Sequence, residues 1–310
     1  MDGGMPKDKR RLSGWAAHLA GVTAVVLCIA PAADAQQHSE SRRILVGGVE
    51  RSYLLHRPNA RPGPRPLVLV LHGGGGTGRR MEEHTGFSRL ADAEGFYVLY
   101  PDGIGGHWND GRGLADASHD DVSFIRALLE TLRREIKVDS SRVYATGISN
   151  GAMFAHRLAC DLPGTFAAIG PVAGALPAAL VPRCGSAAPV SVLSLQGMDD
   201  RLVPFAGGNV RAVRGAVLSA WESVGHWARR ATCDSAAAAR RVDRVRDGTA
   251  ILEHVYRGCG RHAVELHAIT GGGHTWPGGP RVRARLIGRT TREINGTRTL
   301  WQFFERHPRP

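Results

Sequence analysis

The run Val143 to Met153, V-Y-A-T-G-I-S-N-G-A-M, constrains this chain more than any other stretch. Val143, Tyr144, Ala145 and Thr146 have the β-branched and aromatic character of a buried strand, and Met153, Phe154 and Leu158 begin a helical apolar pattern. Gly147, Ser149 and Gly151 stand between them. A strand that turns this sharply into a helix carries its serine on a strained backbone with the hydroxyl exposed, and it needs glycines where a Cβ would collide. The backbone N-H of Asn150, opening the helix, then points to where an oxyanion would form. Composition alone supplies a Gly-x-Ser-x-Gly in about one chain in four of this length, and the bland reading makes Ser149 an ordinary helix N-cap, so context has to decide.

Residues 1–35 read as a signal peptide. Lys7, Lys9, Arg10 and Arg11 precede a mostly apolar stretch, Trp15 to Ala30, too short for a stable membrane anchor, and Ala33-Asp34-Ala35 is an A-x-A cleavage site. The mature chain is expected to begin at Gln36 and to be secreted or periplasmic. Leu27 before Cys28 argues against lipid attachment, and Arg10-Arg11 leaves the export route open. Residues 36–310 have the length of one catalytic domain, its core over about 44–307.

Net charge is +12, all but one unit of it outside the leader. Only Lys7, Lys9 and Lys137 among the 40 basic residues are lysines, and the arginines are spread along the chain. This favours a composition bias over a nucleic-acid surface. The densest run, Arg281 to Arg292, reads as a solvated loop face. Past Cys28, an even set of cysteines in an exported chain favours disulfides, and closing local loops pairs Cys160 with Cys184 and Cys233 with Cys259. Zinc is a poor rival without a C-x-x-C, and His119-Asp120-Asp121 reads as a helix start rather than a metal cluster. Asn295-Gly296-Thr297 is a glycosylation sequon.

Short segments Ile44 to Val46 and Tyr53 to Arg57 suggest antiparallel edge strands. Leu67 to Leu71 is continuously apolar, as a strand covered on both faces must be. It runs into His72 and four glycines, Gly73 to Gly76, where a second oxyanion donor such as Gly74 is expected; the Gly-Lys-Ser/Thr ending of a phosphate loop is missing. A helical stretch Arg80 to Glu94, a strand Phe96 to Tyr100 and an amphipathic helix from Asp121 to Ile136 lead to the serine. Asp102 before Gly103 reads as a turn residue. Strands Ala167 to Val172 and Val190 to Gln196 follow. The second ends in Gly197-Met198-Asp199-Asp200, and spacing alone does not separate the two acids. A helix Val213 to Trp227, strands Ile251 to Tyr256 and Ala263 to Ile269, and a closing helix Leu300 to Arg306 complete the alternation. Of seven histidines after the serine, only His274 sits in a glycine-rich loop after a late strand, G-G-G-H-T-W-P-G.

These motifs together resemble the secreted polyhydroxybutyrate-depolymerase-like esterases, a group that includes feruloyl and acetylxylan esterases, over roughly Ile44 to His307. The resemblance implies an α/β-hydrolase fold, a mostly parallel central sheet flanked by helices in a single domain, working without metal or cofactor. It implies a triad of Ser149, Asp200 and His274, with Asp199 as the rival acid, and an oxyanion hole from Gly74 and Asn150. The substrate is expected to be an ester, either a polyester oligomer or a plant cell-wall ester, with Trp108 and Trp276 walling its acyl group or merely packing. A peptidase or thioesterase with the same triad, or a binding protein on the same scaffold, stays open. No nucleic-acid partner is expected, the oligomeric state is open, and there is no room for the polymer-binding module some relatives carry.

Overall fold

In the computed structural model the described residues are Met1, 39–59, 63–113, 119–185, 187–211, 215–280 and 287–309. The chain separates into two units, Met1–Gln36 and Gln37–Pro310, and the fold described is that of the second. The expected leader lies outside the described residues apart from Met1.

The elements are β1 (Glu40–Val46), β2 (Val49–His56), β3 (Arg65–Leu71), α1 (Gly78–Thr85), α2 (Phe87–Glu94), β4 (Tyr97–Pro101), α3 (Asp121–Glu135), β5 (Val138–Ile148), α4 (Asn150–Asp161) and β6 (Ala168–Val172). After them come α5 (Val181–Cys184), β7 (Ser191–Gly197), β8 (Gly208–Asn209), β9 (Ala216–Val217), α6 (Ala220–Arg230), β10 (Ser235–Ala236), β11 (Arg240–Val242), β12 (Ala250–Arg257), β13 (Val264–Thr270) and α7 (Gly296–Arg306). The main sheet runs β1-β2-β4-β3-β5-β6-β7-β13-β12-β10, with β11 also on β12. From β4 to β13 every pairing is parallel. The antiparallel pairs lie toward the two ends.

The apolar run in β3 explains the layering. Leu67, Leu69 and Leu71 face one core with Ile125, Leu128 and Leu132 of α3, Phe154 and Leu158 of α4, and Val224 and Trp227 of α6. Val68 and Val70 face the other, with Met81 of α1, Leu90 of α2, and Leu300, Phe303 and Phe304 of α7. Side chains alternate across a strand, so a central strand between two helical layers must be apolar at every position. The result is the expected α/β sandwich, with all strand C-termini of the parallel part opening on one edge.

Several boundaries differ from expectation. The stretch Arg80 to Glu94 is two helices, because Gly86 adopts φ 67° and ends α1. The helix expected from Val213 begins only at Ala220. Ser219 and Glu222 form a reciprocal capping box there, and Ala216 and Val217 belong to a small hairpin instead. Helix α7 starts earlier than Leu300, with Asn295 as N-cap accepting from the Arg298 N-H at 3.0 Å. Thr297 of the sequon is buried and bonded to both Trp276 and the Thr85 carbonyl, whereas Asn295, which would carry a glycan, is exposed. Asp120 caps α3, as expected, whereas Asp121 is buried against Arg51 at 2.7 Å. Asp102 is a turn residue tied down by the Gly78 N-H and the Ser52 hydroxyl, both at 2.7 Å.

Both disulfides pair as the local-loop argument expects, Cys160–Cys184 and Cys233–Cys259, with separations of 24 and 26 residues. Each contributes roughly 3 kcal/mol by constraining the unfolded chain. No helix among the described residues is long and apolar enough to cross a membrane.

Candidate active site

At the C-terminal edge of the sheet, β5 passes into α4 through Ser149, whose backbone sits at φ 58°, ψ −121°. That conformation is costly for a residue with a Cβ and persists only where the surroundings over-determine it. They do so here by close approach. A Cβ on Gly147 would lie 2.7 Å from the Leu71 carbonyl oxygen, and one on Gly151 would lie 2.5 Å from the carbonyl oxygens of both Leu71 and His72. Gly174, which the sequence reading did not single out, is equally pressed, with 2.6 Å from such a Cβ to the Ser149 carbonyl oxygen. The Ser149 N-H is held by the Val172 carbonyl at 2.9 Å.

Register brings the other groups to the same edge. Leu71 of β3 pairs with Gly147 of β5, so the glycine run after β3 lies beside the serine turn. In that run Gly76 N-H bonds to the Gly73 carbonyl and Gly75 N-H to the Gly106 carbonyl, leaving the Gly74 N-H without an acceptor among the described residues. The first N-H groups of a helix have no intrahelical acceptor, so Asn150, the first residue of α4, offers a second free donor. His72 braces this loop. Its Nε2 accepts from the Gly103 N-H at 2.9 Å, which puts the proton on Nδ1 facing the Gly73 carbonyl at 2.9 Å. Burial lowers its pKa and keeps the ring neutral.

Parallel neighbours β7 and β13 end side by side, Ile269 opposite Gly197, and deliver Asp200 and His274. Gly197 admits the approach, since a Cβ there would lie 2.4 Å from the Gly273 carbonyl oxygen. His274 Nδ1 meets Asp200 Oδ2 at 2.7 Å. The other carboxylate oxygen accepts from the N-H groups of Leu202 and Val203 at 2.8 and 2.9 Å. The Asp200 side chain is 2% exposed, whereas Asp199 points outward to solvent, so burial and bonding separate two acids that spacing could not.

Ser149, Asn150, Gly74, His274 and Trp276 all line one cavity of about 470 Å³. Trp108 does not. It is 1% exposed, stacks on Phe154 with ring centroids 5.0 Å apart and donates its indole N-H to the His72 carbonyl, so it packs beneath the site. A further brace went unseen in the sequence. The Asn150 amide is gripped by both backbone groups of Trp108 at 2.8 and 3.0 Å and by Asp110 at 2.6 Å, and Asp110 pairs with buried Arg112 at 2.7 Å. These partners lie about forty residues apart in a loop, where neither periodicity nor spacing carries a signal.

A strained serine at a strand-helix turn, with free amides and an imidazole-carboxylate pair beside it on a doubly covered parallel sheet, defines an α/β-hydrolase. The model of the family described as Esterase PHB depolymerase matches residues 51–200. A protein named as an esterase, NocK, of Nocardia uniformis subsp. tsuyamanensis is 35% identical over 298 residues, covering 88% of this chain and 84% of its own. The chain belongs to that esterase family and is a carboxylic ester hydrolase. It is also similar to poly(3-hydroxyalkanoate) depolymerase C of Paucimonas lemoignei, 32% identical over 38% of this chain but 30% of that protein. Feruloyl esterase C of Emericella nidulans is 28% identical over 51% of this chain and 58% of its own length. Among solved structures, an acetyl xylan esterase from Aspergillus awamori shares the fold with a TM-score of 0.62 at 16% identity, covering 86% of this chain and 99% of that one.

Proposed function

We propose that the protein is an exported serine esterase in which Ser149, His274 and Asp200 act as nucleophile, base and orienting acid. The observation that carries this is the 2.7 Å contact of His274 Nδ1 with a buried carboxylate, made by a histidine that lines the same cavity as the strained serine. His274 Nε2 takes the Ser149 proton as the hydroxyl attacks the ester carbonyl, the N-H groups of Gly74 and Asn150 hold the oxyanion, and His274 then protonates the leaving alcohol. Water, deprotonated by the same imidazole, releases the acid and restores the serine. Export rests on the basic, apolar and A-x-A pattern of residues 1–35 together with two disulfides. The exported protein should begin at Gln36 by intact mass, and a chain recovered with residues 1–35 attached would remove that part.

The acyl group favoured is aliphatic. Met81, Ile148, Leu202, Val210 and Ile287 give the cavity aliphatic walls, and Trp276, with its indole N-H tied to Thr297, is its one large aromatic among the described residues. The expected kcat/KM for a short hydroxybutyrate oligomer exceeds that for methyl ferulate by about tenfold or more, with a peptide amide of matched shape untouched. A ratio favouring methyl ferulate would assign the enzyme to plant cell-wall esters instead.

A further inference from the structure

The cavity has one kind of charge. Among its described lining residues are Arg80, Arg112 and Arg211, and no aspartate or glutamate. Arg80 and Arg211 are exposed at the surface, and neither guanidinium has an ion-pair partner among the described residues. Arg112 differs from them. Its side chain is 2% exposed and spends Nε and one terminal nitrogen on Asp110, yet its other terminal nitrogen, Nη1, is buried with no hydrogen-bond partner among the described residues. A buried guanidinium donor left unpaired is disfavoured by the loss of its hydration, and such groups in folded proteins call for an explanation. Arg112 and Arg211 also share a wall. Gly215 packs on the Arg112 side chain, the Val210 N-H bonds to the Gly215 carbonyl, and the Arg211 N-H bonds to the Leu202 carbonyl.

We propose that Arg112 and Arg211 form a carboxylate subsite, so that the esters this enzyme prefers carry a free carboxylate beside the scissile bond, as a short hydroxy-acid oligomer does at one end. The inference rests on the esterase reading. Arg112 supplies Nη1, the donor that its bidentate pairing with Asp110 leaves over, and Arg211 supplies a second cation from the mouth; guanidinium groups match the planar oxygens of a carboxylate. The apolar walls beyond them take the hydrocarbon part.

The test uses two matched pairs. One carries the charge on the acyl side, para-nitrophenyl hydrogen glutarate against para-nitrophenyl glutaramate. The other carries it on the alcohol side, the acetate ester of β-hydroxybutyrate against that of β-hydroxybutyramide. The carboxylate member is expected to have at least about tenfold the kcat/KM of its amide in one pair. Arg211→Gln should cut that ratio to within about threefold of unity, and so should Arg112→Lys, which keeps a cation for Asp110 but loses the Nη1 donor. Arg80→Gln, which removes one charge from the same cavity, should preserve the ratio. Equal loss in Arg80→Gln and Arg211→Gln would mean a diffuse field and overturn the subsite. So would a ratio near one in both pairs for the native enzyme, provided the neutral esters are hydrolysed. Failure to hydrolyse any of the four would instead strike the esterase reading itself.

Discussion

Ser149→Ala is expected to lower kcat by about 10⁴- to 10⁶-fold while leaving a folded protein, because it removes the attacking oxygen and changes nothing else at the turn. Alanine keeps the Cβ at φ 58°, ψ −121°, so the strain stays and the melting temperature should not move. Ser149→Gly separates the two roles of the position. Glycine reaches this backbone region freely, and releasing strain of about 1–3 kcal/mol outweighs the roughly 0.5–1 kcal/mol that glycine adds to unfolded-chain entropy. Activity should be lost equally, with the melting temperature rising by about 2–4 °C. Calorimetry and a chromogenic ester assay on the three proteins read this directly. A Ser149→Ala protein retaining more than about 1% of turnover would remove Ser149 as nucleophile.

That the position was legible from sequence at all follows from the local nature of its constraint. Gly147 and Gly151 are demanded by backbone oxygens of β3 only 2.5–2.7 Å from where a Cβ would sit, and β3 announces itself through Leu67 to Leu71. His274 was equally legible, since a glycine-rich loop after the last long strand leaves few other histidines in reach. What spacing did not carry is what depends on side-chain direction. Trp108 and Trp276 both follow glycine-rich loops, yet one ring stacks on Phe154 under the site and the other reaches the cavity. The helix break at Gly86 was missed because an isolated glycine is tolerable in a helical pattern and only its φ of 67° ends it. The start of α6 was available: Ser219-Ala220-Trp221-Glu222 is a capping-box sequence, and it outweighs the apolar residues before it. The grip of Trp108 and Asp110 on Asn150 had no such signature.

Asp200→Asn tests the carboxylate with the second-largest expected effect, and the wiring of Asp200 says why. Its Oδ1 accepts from two backbone N-H groups, Leu202 and Val203, so an asparagine there must keep its carbonyl oxygen on that side. The amide nitrogen is then forced toward His274 Nδ1, where Oδ2 stood at 2.7 Å. A donor in that place can meet only an unprotonated Nδ1, which moves the imidazole proton to Nε2 and leaves no lone pair to accept the Ser149 proton. A fall in kcat of about 10³- to 10⁴-fold is expected, with the fold intact because the two amide bonds survive. Asp199→Asn, on an exposed side chain, should change kcat by no more than about twofold. Steady-state kinetics of the two variants, with circular dichroism to confirm folding, settles which acid serves His274; a large loss in Asp199→Asn and a small one in Asp200→Asn would reverse the assignment.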